Sequence, residues 1–92
     1  MSLKPLSVKT LCTIVSGQLI HGEEVSIQYG AYRLKQVKHK NTVLFAQRRI
    51  MNWNQIEPYF PIVIVTEWPY SPGELPQQVT LIRVQSSEEA FW

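Results

Sequence analysis

The residues best suited to chemistry in this chain are arginines and aromatic side chains within one stretch that has no acidic residue. The sequence contains seven Glu and no Asp, and no Glu falls between Val25 and Ile56. Six of the nine basic residues lie in that gap: Arg33, Lys35, Lys38, Lys40, Arg48 and Arg49. Positive charge concentrated in this way favours an anionic partner.

Several common kinds of active site are excluded by residue type. None of the four glycines lies in a phosphate-loop or dinucleotide-binding pattern, and no G-x-S-x-G elbow is present. His21 and His39 are far apart, with no carboxylate cluster to join them as metal ligands. The single cysteine, Cys12, excludes an internal disulfide and a Cys-rich zinc site, and its apolar helical context predicts a structural thiol. We therefore expect no complete active site and neither a metal nor a cofactor in this chain.

The elements that must position the basic stretch follow from periodicity. Ser7 is a good N-cap, and the helical spacing of apolar residues after it predicts a helix over residues 8–16 that Gly17 ends. Alternating or continuous apolar runs predict five strands, with Gly30 breaking the second: 18–20, 25–29, 42–46, 62–66 and 79–84. Residues 31–41 are predicted as a loop with at most one helical turn. A weak helix is expected over about 52–57, limited by Pro58 and Pro61.

This order of elements predicts one α/β domain, residues 1–92, with a small mixed sheet of about five short strands flanked by helices. The continuous run Ile62–Thr66 predicts a strand buried on both faces and parallel to a neighbour. No apolar run is long enough to cross a bilayer, and no secretory signal is visible, which together favour the cytoplasm. The predicted core is Leu11, Val15, Ile27, Leu44, Phe45, Ile62, Ile64, Leu81 and Val84.

The sequence of residues 86–92 resembles the beginning of a helix. Ser86-Ser87-Glu88-Glu89 has the pattern of a capping box, and Phe91-Trp92 follow directly. We expect the domain to be excised from a longer chain, with this helix leading to a following domain. The alternative is a short terminal helix whose aromatic side chains dock on the core.

The order and spacing of these segments are similar to the N-terminal domain of Mur ligases, from about Leu6 to Trp92. These enzymes are ATP-dependent amide ligases that extend UDP-N-acetylmuramoyl-peptide precursors of peptidoglycan. The segments that carry the resemblance are Leu6–Leu19, Val25–Arg33, Val37–Ala46, Ile62–Val65 and Leu81–Ala90. Of the family's Ser-Thr-Asp-Ser-Arg motif only Arg33 is present, and its Pro-Gly-Asp turn and Asp-Gly-His-Asp-Phe segment are missing.

The resemblance implies a non-catalytic substrate-recognition domain in which Arg33 meets the diphosphate of a UDP-sugar. Arg48 and Arg49 follow a strand end and are candidates for the same cleft, because guanidinium groups bind phosphate oxygens in pairs. Tyr29, Tyr32 and Trp53 are candidates for stacking on the uracil ring. ATP and Mg²⁺ are expected only on downstream domains. For the three arginines the alternative is a solvated basic face, and for Trp53 it is core packing.

Two other functions remain open on the sequence. A degenerate domain that has lost UDP would serve protein contacts, with Trp68-Pro69-Tyr70 as a natural patch. The alternative for these aromatics is that they hold their loop on the core. A basic module for single-stranded nucleic acid is the other, since basic residues and aromatics both occur between Tyr29 and Trp53. A sequence pI near 8.9 is only mildly basic and makes nucleic acid the weaker of the two.

Overall fold

The centre of the molecule is the β-branched run that the sequence singles out. In the computed structural model, which describes residues 2–46 and 49–85, Ile62–Thr66 forms a strand whose five residues are all buried. It is the fifth of six strands: β1 Ser2–Ser7, β2 Gln18–His21, β3 Ser26–Ala31, β4 Thr42–Phe45, β5 Ile62–Thr66 and β6 Val79–Arg83. They form one sheet in the order β1-β3-β4-β5-β6-β2. Strands β3 to β6 are parallel, and the edge strands β1 and β2 are antiparallel to their neighbours.

The two faces of the sheet are covered by different kinds of structure. Val43, Val63 and Ile82 pack on one face beneath α1, the helix Val8–Val15. Leu44 and Ile64 pack on the other face beneath the three connections between the parallel strands, described at residues 32–41, 46, 49–61 and 67–78. These connections contain short 3₁₀ turns: Leu34–Gln36, Trp53–Gln55, Glu57–Tyr59 and Pro72–Glu74.

The α/β class is confirmed, and four finer predictions are wrong. The sheet has six strands rather than about five, because residues 2–7 add an edge strand beside β3. The described residues contain one α-helix, and two 3₁₀ turns replace the helix expected over 52–57. The Asn52 side chain caps the first of these turns, and Pro58, which has no N–H, lies in the second. The helix expected over 86–92 lies outside the described residues.

The end of α1 corrects the third prediction, the role of Gly17. Ser7 caps the helix as expected, with its hydroxyl accepting from Thr10 N–H at 3.0 Å. The left-handed residue that ends the helix is Ser16, at φ 54°. Gly17 is required for another reason: a Cβ there would lie 2.5 Å from Ile82 Cγ2, so only glycine lets the chain pass so close to β6.

Strand β3 corrects the fourth prediction, because it continues through Gly30 to Ala31. The N–H groups of Gln28 and Tyr29 both donate to the carbonyl of Asn41, at 2.9 and 3.4 Å. Ile27 packs on the helix face and Ala31 on the opposite face, although residues four apart in a regular strand share a face. The strand therefore contains a bulge at Gln28-Tyr29 that changes which face its later residues occupy.

An acidic residue holds the N-terminus of α1 from a distant position in the sequence. The Glu24 carboxylate accepts hydrogen bonds from the N–H of Val8 and from the N–H of Lys9, the latter at 3.2 Å. Both are first-turn donors with no partner inside the helix, and the helix dipole favours negative charge there. The pair Glu23-Glu24 resembles a solvated turn in the sequence, but Glu24 ties the β2–β3 connection to α1.

The described part of the chain has no helix of sufficient length and apolarity to traverse a bilayer.

We expect Gly22→Ala to destabilise the protein strongly. Gly22 has φ +93°, and an added Cβ would lie 2.5 Å from Thr80 Cα, which is backbone that cannot swing away. The left-handed backbone and the overlap together should lower the free energy of unfolding by at least about 2 kcal/mol in urea denaturation. Gly73→Ala is the control, since a Cβ added there would meet no atom within 4 Å. Equal losses in the two variants would contradict this account.

We also expect Glu24→Ala to lower the free energy of unfolding by about 1–2 kcal/mol, because two helix N–H groups lose their acceptor. Thermal or urea unfolding followed by circular dichroism measures the change. Glu23→Ala is the matched control, because the Glu23 carboxylate is exposed and makes no hydrogen bond with residues 2–46 or 49–85. If removing either glutamate has the same effect, the helix cap is not the cause.

Candidate anion-binding site

The cationic stretch borders a cleft at the carboxyl edge of the parallel strands. Strands β3 and β4 are neighbours, with Ala31 opposite Leu44, and the chain leaves both strands at this edge. Between them lies a cleft of about 540 Å³. Its lining combines apolar residues with two arginines and a tyrosine: Leu34, Leu44, Ala46, Ile50, Arg33, Arg49 and Tyr32. Ligands of open α/β sheets bind at this edge, outside the carboxyl ends of the strands.

Arg33 carries the uncompensated charge of the cleft. It lies in extended backbone immediately before the 3₁₀ turn Leu34–Gln36, and its side chain is exposed. The Arg33 guanidinium makes no ion pair or hydrogen bond with residues 2–46 or 49–85. All five of its N–H donors are therefore available to an anion.

Arg49 has a partner already. Its Nη2 lies 2.6 Å from Glu74 Oε1, on the connection between β5 and β6. The other Glu74 oxygen accepts from Ser71 N–H at 2.7 Å, which fixes the carboxylate on its own turn. Both side chains are more than a third exposed, and an exposed pair of this kind contributes little to stability. An anion in the cleft would compete with Glu74 for Arg49.

Tyr32 presents an aromatic surface at the rim of the cleft. The residue is 58% exposed, and its ring stacks on Phe45 with centroids 5.4 Å apart. Its backbone N–H donates to Gln36 Oε1 at 2.8 Å, which ties the strand end to the following turn. These contacts hold the tyrosine in place at the rim of the cleft.

A buried tyrosine fixes the segment that carries Arg49. The Tyr70 hydroxyl accepts from Ile50 N–H at 2.6 Å, and Tyr70 is 7% exposed. Burial, with a smaller contribution from the Glu74 carboxylate, raises the pKa of Tyr70 above its ordinary value, against the opposing effects of the Ile50 N–H and Arg49. Of the predicted contact patch Trp68-Pro69-Tyr70, then, Tyr70 belongs to the core, while Trp68 is 41% exposed.

The remaining candidates do not join this cleft. Tyr29 lies opposite Thr42, the first residue of β4, and its ring stacks on His39 at 4.3 Å. Trp53 packs against Tyr70 at 6.0 Å and lines a separate cleft at the amino edge of the parallel strands. Arg48 lies outside the described residues. The structure therefore unites Tyr32, Arg33 and Arg49 and separates Tyr29 and Trp53 from them.

Cys12 has the character of a structural thiol. Burial, and secondarily the Glu24 carboxylate, raises the pKa of the Cys12 thiol above its ordinary value. A thiol with a raised pKa is a poor nucleophile at neutral pH. Within residues 2–46 and 49–85 no three His, Cys, Asp or Glu side chains are grouped so that they could hold a metal ion.

Sequence reasoning missed Glu74 and Gln36. Both act through contacts that no local pattern predicts; Glu74 in particular lies far beyond the acid-free stretch that contains its arginine.

The chain matches no protein-family model. Searches of curated proteins and of solved structures likewise find no similar protein.

We expect Tyr70→Phe to lower the free energy of unfolding at neutral pH by about 1–3 kcal/mol, because the buried N–H of Ile50 loses its acceptor. Urea denaturation at pH 7 measures the change. Tyr59→Phe is the control, since the Tyr59 hydroxyl makes no hydrogen bond with the described residues. A similar loss in both variants would contradict the role given to Tyr70.

The raised pKa of Tyr70 predicts an alkaline dependence of stability. A phenol whose pKa is higher in the folded state stabilises the protein fully below its unfolded pKa, near 10, and this contribution is lost as the pH rises through the folded value. Stability of the unmodified protein should therefore fall more steeply above about pH 10 than that of Tyr70→Phe. Urea denaturation across this pH range measures both slopes, and parallel curves would contradict the prediction.

Proposed function

We propose that this chain is the substrate-recognition domain of a Mur-ligase-like ATP-dependent amide ligase. In this proposal the carboxyl-edge cleft binds the diphosphate of a UDP-N-acetylmuramoyl-peptide precursor, in the cytoplasm. The single observation that supports it most is the Arg33 guanidinium, which pairs with none of residues 2–46 and 49–85, at a cleft between two parallel strand ends. Arg33 is also the one residue of the family's Ser-Thr-Asp-Ser-Arg motif that the sequence retains.

Each part of the cleft has a role in this proposal. The Arg33 guanidinium donates paired hydrogen bonds to phosphate oxygens, and Arg49 adds a second cation once it leaves Glu74. The exposed ring of Tyr32 provides a surface for the uracil. Bond formation needs ATP and Mg²⁺, which this proposal assigns to downstream domains.

A protein-contact domain that no longer binds a nucleotide is the second candidate. The Arg49–Glu74 ion pair favours it, because this contact neutralises one of the two described arginines of the cleft. Trp68 and Met51 are also exposed, at 41% and 78%, and offer apolar contact surface. A nucleic-acid module has less support, since Tyr29 and Trp53 lie at the opposite edge of the strands from Arg33 and Arg49.

Titration of the ¹⁵N-labelled protein with UDP tests the first candidate against the second. We expect amide shifts at Tyr32, Arg33 and Leu34 with millimolar UDP. Arg33→Ala should weaken binding about tenfold or more, because a charge-assisted hydrogen bond contributes about 1.5–3 kcal/mol. Arg83→Ala is the matched control, since Arg83 is an exposed arginine on β6, and two strands lie between β6 and β3, the strand that precedes Arg33. Absence of any shift at millimolar UDP would favour the protein-contact candidate.

A further inference from the structure

A second cleft, of about 530 Å³, lies at the opposite edge of the parallel strands. Its walls come from the segments that precede three strands: Lys40 before β4, residues 53–60 before β5 and residues 76–78 before β6. A volume of this size is within the range of small-molecule sites, about 300–1,000 Å³. The cleft shares no lining residue with the one that contains Arg33.

An aromatic side chain in a fixed position lines this cleft. Trp53 is half-buried, and its indole packs against Tyr70 with ring centroids 6.0 Å apart. Its backbone is held by the turn it begins, because Ile56 N–H donates to the Trp53 carbonyl at 3.1 Å. The exposed part of the indole is therefore a flat apolar surface whose orientation is set before any ligand arrives.

Three amide side chains surround this surface without partners of their own. Asn54, Gln77 and Gln78 are exposed, and their side-chain amides make no hydrogen bond with residues 2–46 or 49–85. The backbone that carries them is tied down, since the Gln78 carbonyl accepts from Ile62 N–H at 3.3 Å. Each amide offers two N–H donors and a carbonyl acceptor to the cleft.

The charges of the cleft cancel. Among the described residues that line it, only Lys40 and Glu57 are ionisable, one of each sign. A phosphate or a polyanion gains no net attraction here, in contrast to the carboxyl-edge cleft with its two arginines. The lining therefore favours a neutral ligand that has many hydrogen-bonding groups and one apolar face.

We infer that the amino-edge cleft binds a neutral pyranose saccharide, with the Trp53 indole against the C–H face of the sugar ring and the amides of Asn54, Gln77 and Gln78 on its hydroxyls. Adjacent hydroxyls each donate and accept, which matches the two functions of an amide. A proline-rich peptide also suits an aromatic groove, but it offers carbonyl acceptors and no hydroxyl donors to the amide oxygens.

Titration of the ¹⁵N-labelled protein with cellobiose tests this inference. We expect shifts of the Trp53 indole N–H and of the amides of residues 54, 77 and 78 at millimolar sugar, with Tyr32 and Arg33 unmoved. Trp53→Phe assigns the indole signal and keeps an aromatic ring against Tyr70. Decaproline and sodium diphosphate are titrated in parallel as the competing ligand classes.

Two matched variants test whether the residues that line the cleft bind the sugar, or whether it contacts the surface non-specifically. Gln78→Ala should weaken cellobiose binding about threefold to tenfold, the effect of one or two hydrogen bonds, while Gln55→Ala should leave it unchanged. Gln55 is exposed in the same segment as Trp53 and does not line the cleft. The inference is overturned if cellobiose leaves the Trp53 indole unmoved, if decaproline alone shifts it, or if Gln55→Ala and Gln78→Ala weaken binding equally. None of these results depends on whether UDP binds at Arg33.

Discussion

The constraint on which this structure depends is the burial of β5 on both faces. Ile62, Ile64, Val63 and Val65 alternate between two apolar clusters, so each face of the sheet needs its own cover. Only one α-helix is present in the described residues to supply it. The remaining cover comes from three connections that all cross the same face, through Val37, Ile56, Tyr70 and Leu75. Strands β3, β4, β5 and β6 lie side by side in chain order. Because the three connections between them all cross the same face, the three crossovers have the same handedness, as is the rule in parallel sheets.

This arrangement gives the two edges of the sheet different chemistry. The connections leave the strands at the carboxyl edge, where Arg33 and Arg49 follow β3 and β4, and return at the amino edge, where Trp53, Gln77 and Gln78 precede β5 and β6. In the described residues these connections contain short 3₁₀ turns instead of long helices. Their apolar side chains cover the sheet, and their polar side chains lie at its carboxyl and amino edges. Ile50 both belongs to the core and lines the carboxyl-edge cleft, and the buried Tyr70 accepts its N–H.

The elements that local patterns determine were predictable from the sequence. The Ser7 cap, the apolar spacing of α1 and the run Ile62–Thr66 each depend on neighbouring residues, and all three were confirmed. Strand β1 was missed because Lys4 and Pro5 give its sequence no β pattern, and an edge strand is specified by its pairing with β3. Of the candidate site residues, Tyr32, Arg33 and Arg49 line one cleft. The sequence could not separate Tyr29 and Trp53 from them, because the bulge at Gln28-Tyr29 and the path of residues 49–61 depend on tertiary contacts.

The ion pair between Arg49 and Glu74 joins two connections that cover the sheet, and Arg49 also lines the candidate anion-binding cleft. Glu74 lies in the connection from β5 to β6, and Arg49 in the connection from β4 to β5, so their contact holds two segments of the cover together at the rim of the cleft. A surface ion pair contributes at most about 1 kcal/mol, whereas a charge-assisted bond to phosphate contributes about 1.5–3 kcal/mol. In the proposed function, a diphosphate would therefore displace Glu74 from Arg49 at small cost. Glu74 would remain fixed by Ser71 N–H, so the cover would stay in place while the arginine turned to the ligand.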